Sequence, residues 1–130
     1  MMKLKKDFCI LVVDDSTTNL VLLEAIFYER GYKIETAYSA KEAYAIIEKR
    51  TPDLILLDLL MPQINGFDLF RQLRKNRNTK DTPVIVVSAA TDEENVDKIM
   101  KMGAVDFVKK PIDLDYLVDK VESVLHKEYN

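Results

Sequence analysis

Five residues of this chain combine reactive side chains with unusual surroundings: Asp14, Asp15, Asp58, Ser88 and Lys110. Asp58 is the oddest, because Ile55, Leu56 and Leu57 precede it and Leu59, Leu60 and Met61 follow it, just before a Pro-containing loop. Aspartate is a poor strand former and is seldom buried without a partner. Brought to one place, three carboxylates repel one another, by about 4 kcal/mol for a pair ~4 Å apart at an effective dielectric of 20. A divalent cation relieves that repulsion. Oxygen ligands without His or Cys favour Mg²⁺, which needs few carboxylates and keeps several waters. A lysine beside such an ion is suited to a transferring phosphoryl group, and a carboxylate can itself be the acceptor. Taken singly, the acidic pair and Ser88 could be helix caps, and a Lys-Pro dipeptide is common. Their chemistry depends on whether the elements bring them together.

Short apolar runs alternate with longer amphipathic ones along the whole chain. "FCILVV" (8–13), "KIETAY" (33–38), "LILL" (54–57), "PVIVV" (83–87) and "DFVKK" (106–110) read as strands. Three of these are continuous apolar blocks, the pattern of strands covered on both faces. Helical patterns span about Thr17–Arg30, Ala40–Lys49, Phe67–Lys75, Glu93–Met102 and Leu114–His126. Ser39 with Glu42, and Thr91 with Glu94, have capping-box spacing. Gly31 and Gly103 stand where helices must end in a left-handed turn. Leu114, Leu117, Val121, Val124 and Leu125 form a core-facing stripe.

Repeated β-then-α units imply right-handed crossovers and a parallel sheet between helices, an α/β doubly wound fold. Such sheets bind ligands outside the carboxyl ends of their strands, where strand order reverses. The first strand runs into Asp14-Asp15, the third into Asp58, the fourth into Ser88, and the fifth into Lys109-Lys110 before Pro111. Three acids, a hydroxyl and a lysine thus converge on one edge, and a merely structural origin for all of them together is improbable. Lys109 and Lys110 point to opposite sides of a strand, so only one can reach the cluster.

The segments "ILVVDDS", "DLILLDLLMPQINGFDL", "PVIVVSA" and "GAVDFVKKPID" resemble, in order and spacing, the receiver domains of two-component response regulators, of the chemotaxis-regulator-like kind. The resemblance covers about residues 7–126 and implies a single receiver domain over 1–130, flavodoxin-like, with five parallel strands ordered 2-1-3-4-5. It further implies that Asp58 is the phosphoacceptor, that Asp15 binds Mg²⁺ directly, and that Asp14 does so through a water. Leu60 would give the metal its backbone carbonyl. Ser88 and Lys110 would bind phosphoryl oxygens, Lys110 being chosen over Lys109 by the register to Pro111, and the Lys110–Pro111 bond is often cis in the family. Phe107 occupies the aromatic switch position. Leu60 and Ala90 occupy positions that tune attack by water, and neither side chain can orient it. The implied partners are a sensor histidine kinase or phosphotransfer protein and a downstream protein target. The target would read the surface of the fourth helix, fifth strand and fifth helix. Some receivers dimerise through that surface on phosphorylation, but Lys120 stands where that subgroup commonly has Arg.

Two rival readings use the same residues. A phosphohydrolase of the haloacid-dehalogenase type needs a second acid two residues past the nucleophile, and neither Asp58 nor Asp14 is followed by one. A pseudo-receiver, a binding module without phosphoryl chemistry, typically loses the acids or the lysine, and here all are present. The receiver reading expects no enzyme acting on a separate substrate, only a domain that catalyses its own phosphorylation and dephosphorylation.

The net charge of −3 leaves no footprint for direct nucleic-acid binding. The basic stretch "RQLRKNRNTK" (71–80) reads as a solvated helix end and loop. Cys9, the one cysteine, lies in an apolar run as a buried, inert thiol, which suits a reducing compartment. Lysines precede that run, but it meets Asp14-Asp15 too soon for a signal peptide. No stretch reaches transmembrane length, so a cytoplasmic location away from the membrane is expected. No output element is visible after the last helix. A stand-alone regulator and an N-terminal piece of a longer protein fit equally.

Overall fold

Val, Ile and Leu blocks form the centre of the sheet. The computed structural model describes residues 4–61, 65–89 and 93–127, with side chains to residue 126. A 3-10 turn, Lys5–Asp7, precedes β1 (Cys9–Val13), α1 (Thr17–Glu29), β2 (Lys33–Ala37), α2 (Ala40–Lys49) and β3 (Leu54–Leu57). α3 (Gly66–Lys75), β4 (Val84–Ser88), α4 (Glu93–Lys101), β5 (Asp106–Lys109) and α5 (Leu114–Lys127) follow. The strands form one parallel sheet in the order β2-β1-β3-β4-β5, the flavodoxin-like α/β arrangement. Every residue of β1, β3 and β4 is buried, whereas β2 and β5 are edges with mixed exposure.

Alternation along β1 divides the core. Ile10 and Val12 face Leu23 and Phe27 of α1 and Leu117, Val121 and Leu125 of α5. Leu11 and Val13 face Ile47 of α2, Leu69, Phe70 and Leu73 of α3, and Ile99 of α4. Leu114 and Val124 pack against the first cluster, completing the expected stripe.

Gly31 and Gly103 have φ of 95° and 99°, the left-handed region that ends a helix. Local chemistry departs from expectation in two places. The Ser39 hydroxyl accepts from the Glu42 amide, but the Glu42 carboxylate accepts from Tyr38 N–H instead of completing a capping box with Ser39. Arg74 does not belong to a solvated basic face. It is half-buried, and its guanidinium donates to the carbonyls of Thr79, Thr82 and Gly103 at 3.3, 2.7 and 3.2 Å. The Thr91–Glu94 cap cannot be compared, since Thr91 and Ala90 lie outside the described residues.

Candidate functional site

The sheet reverses direction at β1. The chain goes from β1 outward to β2, then returns to place β3 on the other side. β1 and β3 are therefore neighbours, with Val13 paired to Leu57. The next residue on each, Asp14 and Asp58, must lie side by side. Asp58 N–H donates to the Val13 carbonyl at 2.9 Å, and Asp14 N–H donates to the Ala37 carbonyl at 3.0 Å.

Asp14 and Asp58 are buried, at 2% and 4% exposure, while Asp15 is open to solvent. The three offer carboxylate oxygens that all lie within 4.8 Å of one another. The Asp14 Oδ1 accepts from Ser16 N–H at 2.8 Å, and its Oδ2 accepts from the Asn19 side chain at 3.3 Å. Asp58 Oδ1 accepts from Leu60 N–H at 3.1 Å. The Lys110 ammonium bridges the buried acids, 3.0 Å from Asp14 Oδ2 and 3.2 Å from Asp58 Oδ2.

The lysine arrives there through the opposite edge of the sheet. β5 pairs with β4, Lys109 opposite Ser88, and Lys110 N–H donates to the Ser88 carbonyl at 3.0 Å. Lys109 is exposed, whereas Lys110 is largely covered. The Lys110–Pro111 bond is cis. Ser88 is fully buried as the last residue of β4. Phe107, half-buried, packs with Met61, Phe67 and Met102 against the core beneath α3 and α4. The Leu60 side chain is 54% exposed beside the cluster.

Burial pushes the Asp58 carboxyl above the ordinary aspartate range. The Leu60 amide opposes this, the Asp14 charge adds to it, and Lys110 offsets part of it. Burial works against the Lys110 ammonium, but its hydrogen bonds and attraction to Asp14 and Asp58 outweigh that, and the net direction is up. Three carboxylates against one ammonium leave a charge of −2, from 1 − 3, at a pocket of oxygen donors. That donor set and charge suit a hard divalent cation such as Mg²⁺.

Two residues were not assigned roles from the sequence. Asn19 reaches Asp14 from the first turn of α1, a contact that no motif announces. Gly66 was visible at the end of the "QING" segment, but its function is steric. A Cβ there would meet the backbone of Leu59 at 2.4 Å and the Asp58 carbonyl oxygen at 2.6 Å. Only glycine lets α3 begin against the loop that carries Asp58.

Residues 10–122 match the family described as response regulator receiver domain. The chain is 36% identical over 118 residues to the Pseudomonas aeruginosa protein PilH, covering 89% of this chain and 96% of that protein. It is 34% identical over 118 residues to the P. aeruginosa phosphate regulon transcriptional regulatory protein PhoB, covering 91% of this chain but 52% of PhoB. The chain therefore spans about half the length of that relative. Among solved structures, a response regulator receiver protein from Pseudomonas putida superposes with a TM-score of 0.85 at 34% identity, over 89% of this chain and 96% of that one. Fold order, acidic cluster, bridging lysine and these matches agree: the chain belongs to the response regulator receiver domain family.

Proposed function

We propose that this chain receives a phosphoryl group on Asp58 from the phosphohistidine of a sensor histidine kinase or phosphotransfer protein. The observation that carries this reading is the Asp14–Asp15–Asp58 cluster with the Lys110 ammonium held on both buried acids. Family membership supports it, since receivers are phosphoacceptor signalling modules and not enzymes turning over a separate substrate, and the family implies a histidine kinase partner. Residues 7–126 would form the working domain.

Each residue has a distinct task in this reading. A carboxylate oxygen of Asp58 attacks phosphorus as the phosphorus–nitrogen bond to histidine breaks, and the imidazole leaves. Asp15, Asp58 and the Leu60 carbonyl would hold Mg²⁺ directly, and Asp14 would act on it through a water. Bound there, the ion supplies positive charge against the phosphoryl oxygens and relieves carboxylate repulsion. Lys110 then leaves its carboxylate partners for a phosphoryl oxygen, and the Ser88 hydroxyl takes another. A hydrogen bond to a charged group is worth about 1.5–3 kcal/mol. Moving a 1:99 equilibrium to 99:1 takes ~5.5 kcal/mol, so Ser88 alone cannot complete the switch. Phe107 follows it inward by packing only, and Lys110, the loop backbone and a downstream protein reading α4, β5 and α5 supply the rest. Dimerisation through that face is not needed. A cytoplasmic setting suits the phosphodonor, and no described helix is long and apolar enough to cross a membrane.

The test is incubation with acetyl phosphate and Mg²⁺ followed by intact mass. The wild type should gain one phosphoryl group, and neither Asp58→Asn nor an EDTA-treated sample should. Equal labelling of Asp58→Asn would overturn the assignment by placing the acceptor elsewhere, and no labelling of the wild type would overturn it in favour of a pseudo-receiver.

A further inference from the structure

The two edges of the sheet are finished differently. On β5, Lys110 N–H faces β4, so Phe107 turns its backbone groups outward. Its N–H is capped at 2.7 Å by the Asp106 carboxylate, which also accepts from the Tyr116 hydroxyl. On β2, Lys33 N–H donates to the Phe8 carbonyl and the Ala37 carbonyl accepts from Asp14 N–H. Lys33, Glu35 and Ala37 therefore face β1, and Ile34 and Thr36 present their N–H and C=O groups outward. Among the described residues no hydrogen bond reaches those outward groups. Proteins ordinarily cover or block such an edge, as Asp106 does for the Phe107 N–H on β5.

At Ile34 the open edge also lines a groove of about 530 Å³, to which Tyr28 of α1 and Ile46 and Lys49 of α2 contribute. Its two walls differ. Ile34 packs toward the α1 core, so on that side the groove presents Ile34 and the exposed ring of Tyr28. Lys33 and Glu35 project to the other face, where α2 contributes Ile46 and Lys49 and the residue capping its C-terminus, Arg50, joins them. Arg50 is held over the groove by its bond to the Asp7 carbonyl at 2.8 Å and lies 3.9 Å from Asp53. Cations outnumber the acid Glu35 along this wall, and the Lys33 charge discourages a purely apolar strand.

We propose that the β2 edge binds an extended acidic segment of another protein as an added strand. Main-chain bonds to Ile34 and Thr36 would hold it, as in other strand-addition complexes. Its side chains would alternate, acids toward Lys33, Lys49 and Arg50 and apolar groups toward Tyr28 and Ile34. A second copy of this chain added antiparallel is disfavoured, because a two-fold axis normal to the sheet would bring the two basic walls onto the same side. This surface is separate from the Asp58 pocket and does not depend on its phosphorylation.

The probe is the peptide acetyl-Glu-Val-Glu-Val-Glu-Val-Glu-amide, titrated into ¹⁵N-labelled protein at low salt. Saturable amide shifts centred on Ile34 and Thr36 are expected. The pair Lys33→Glu, Lys49→Glu should weaken binding about tenfold, the size expected of a few exposed charge contacts. N-methylating the peptide's alternate amides that face β2 should abolish binding, with no change to the protein. A Lys-Val peptide of the same length should not bind. Shifts centred elsewhere, affinity unchanged by N-methylation, no shifts at millimolar peptide, or shifts that follow protein concentration through self-association would each overturn the proposal.

Discussion

Gly66 N–H donates to the Leu59 carbonyl at 3.0 Å, so the first residue of α3 closes against the residue after the candidate phosphoacceptor. The approach is so close that a Cβ on Gly66 would stand 2.4 Å from Leu59 Cα. Backbone is on both sides of that contact and no flexible side chain can yield. Gly66→Ala should destabilise the fold by about 1–3 kcal/mol, the range for overpacking. It should also slow labelling by acetyl phosphate, because the loop carrying Asp58 must shift. Urea unfolding and labelling rates check the two effects; wild-type values for both would show that the loop yields without cost.

Lys110 and Lys109 are adjacent but differently placed. Lys110→Ala should block phosphorylation or the response to it, since its ammonium lies 3.0 and 3.2 Å from Asp14 and Asp58. Lys109→Ala should be mild, because Lys109 is exposed. Beryllofluoride with Mg²⁺, followed by amide shifts at Phe107, reads the response in both folded variants. Equal defects would count against the assignment.

Arg74 satisfies three carbonyls and lies 5.0 Å from the Phe70 ring centre. Hydrogen bonds to a charged group contribute about 1.5–3 kcal/mol, so Arg74→Ala should lose ~2–3 kcal/mol of stability. Arg74→Lys should recover only part, because an ammonium cannot span the same carbonyls as a planar guanidinium. Chemical unfolding of both variants decides this; a neutral Arg74→Ala would place the carbonyls on water instead.

Glu122 supplies a pH test away from the acidic pocket. Burial works to raise its carboxyl, but the Lys5 ammonium at 3.1 Å and the Tyr32 hydroxyl at 3.0 Å outweigh that, and the net direction is below the ordinary 4.5. A carboxyl lowered on folding stabilises above its unfolded value and loses that contribution as pH falls through its folded one. The stability gap between wild type and Glu122→Gln should therefore be full near neutrality and shrink below about pH 4.5. Unfolding at a series of pH values measures it. A gap that widened in acid would refute the assignment.

Much of this protein was legible along the chain. Continuous blocks such as "LILL" and "PVIVV" must be buried on both faces, so they mark central strands without any knowledge of their neighbours. Ser39, Gly31 and Gly103 act within a few residues of themselves, and their helix boundaries followed. The acids at strand ends were conspicuous because carboxylates do not belong beside such blocks.

The detailed contacts between distant segments were not legible, even where their convergence was. That Lys110 would gather at the acids followed from the strand ends and the register to Pro111. That its ammonium bonds both Asp14 and Asp58, across 96 and 52 residues, depends on the pairing of β5 with β4. The same holds for Arg74, whose charged type predicts a wet surface until the Thr79–Thr82 turn and Gly103 fold over it. It holds for Gly66, whose need for no side chain arises from Leu59 backbone packed against it, and for the unequal finishing of the β2 and β5 edges. Hydrophobic period and caps are short-range consequences of backbone geometry, so a linear chain displays them. Partner choice is set by strand order and register, which exist only once the sheet has formed.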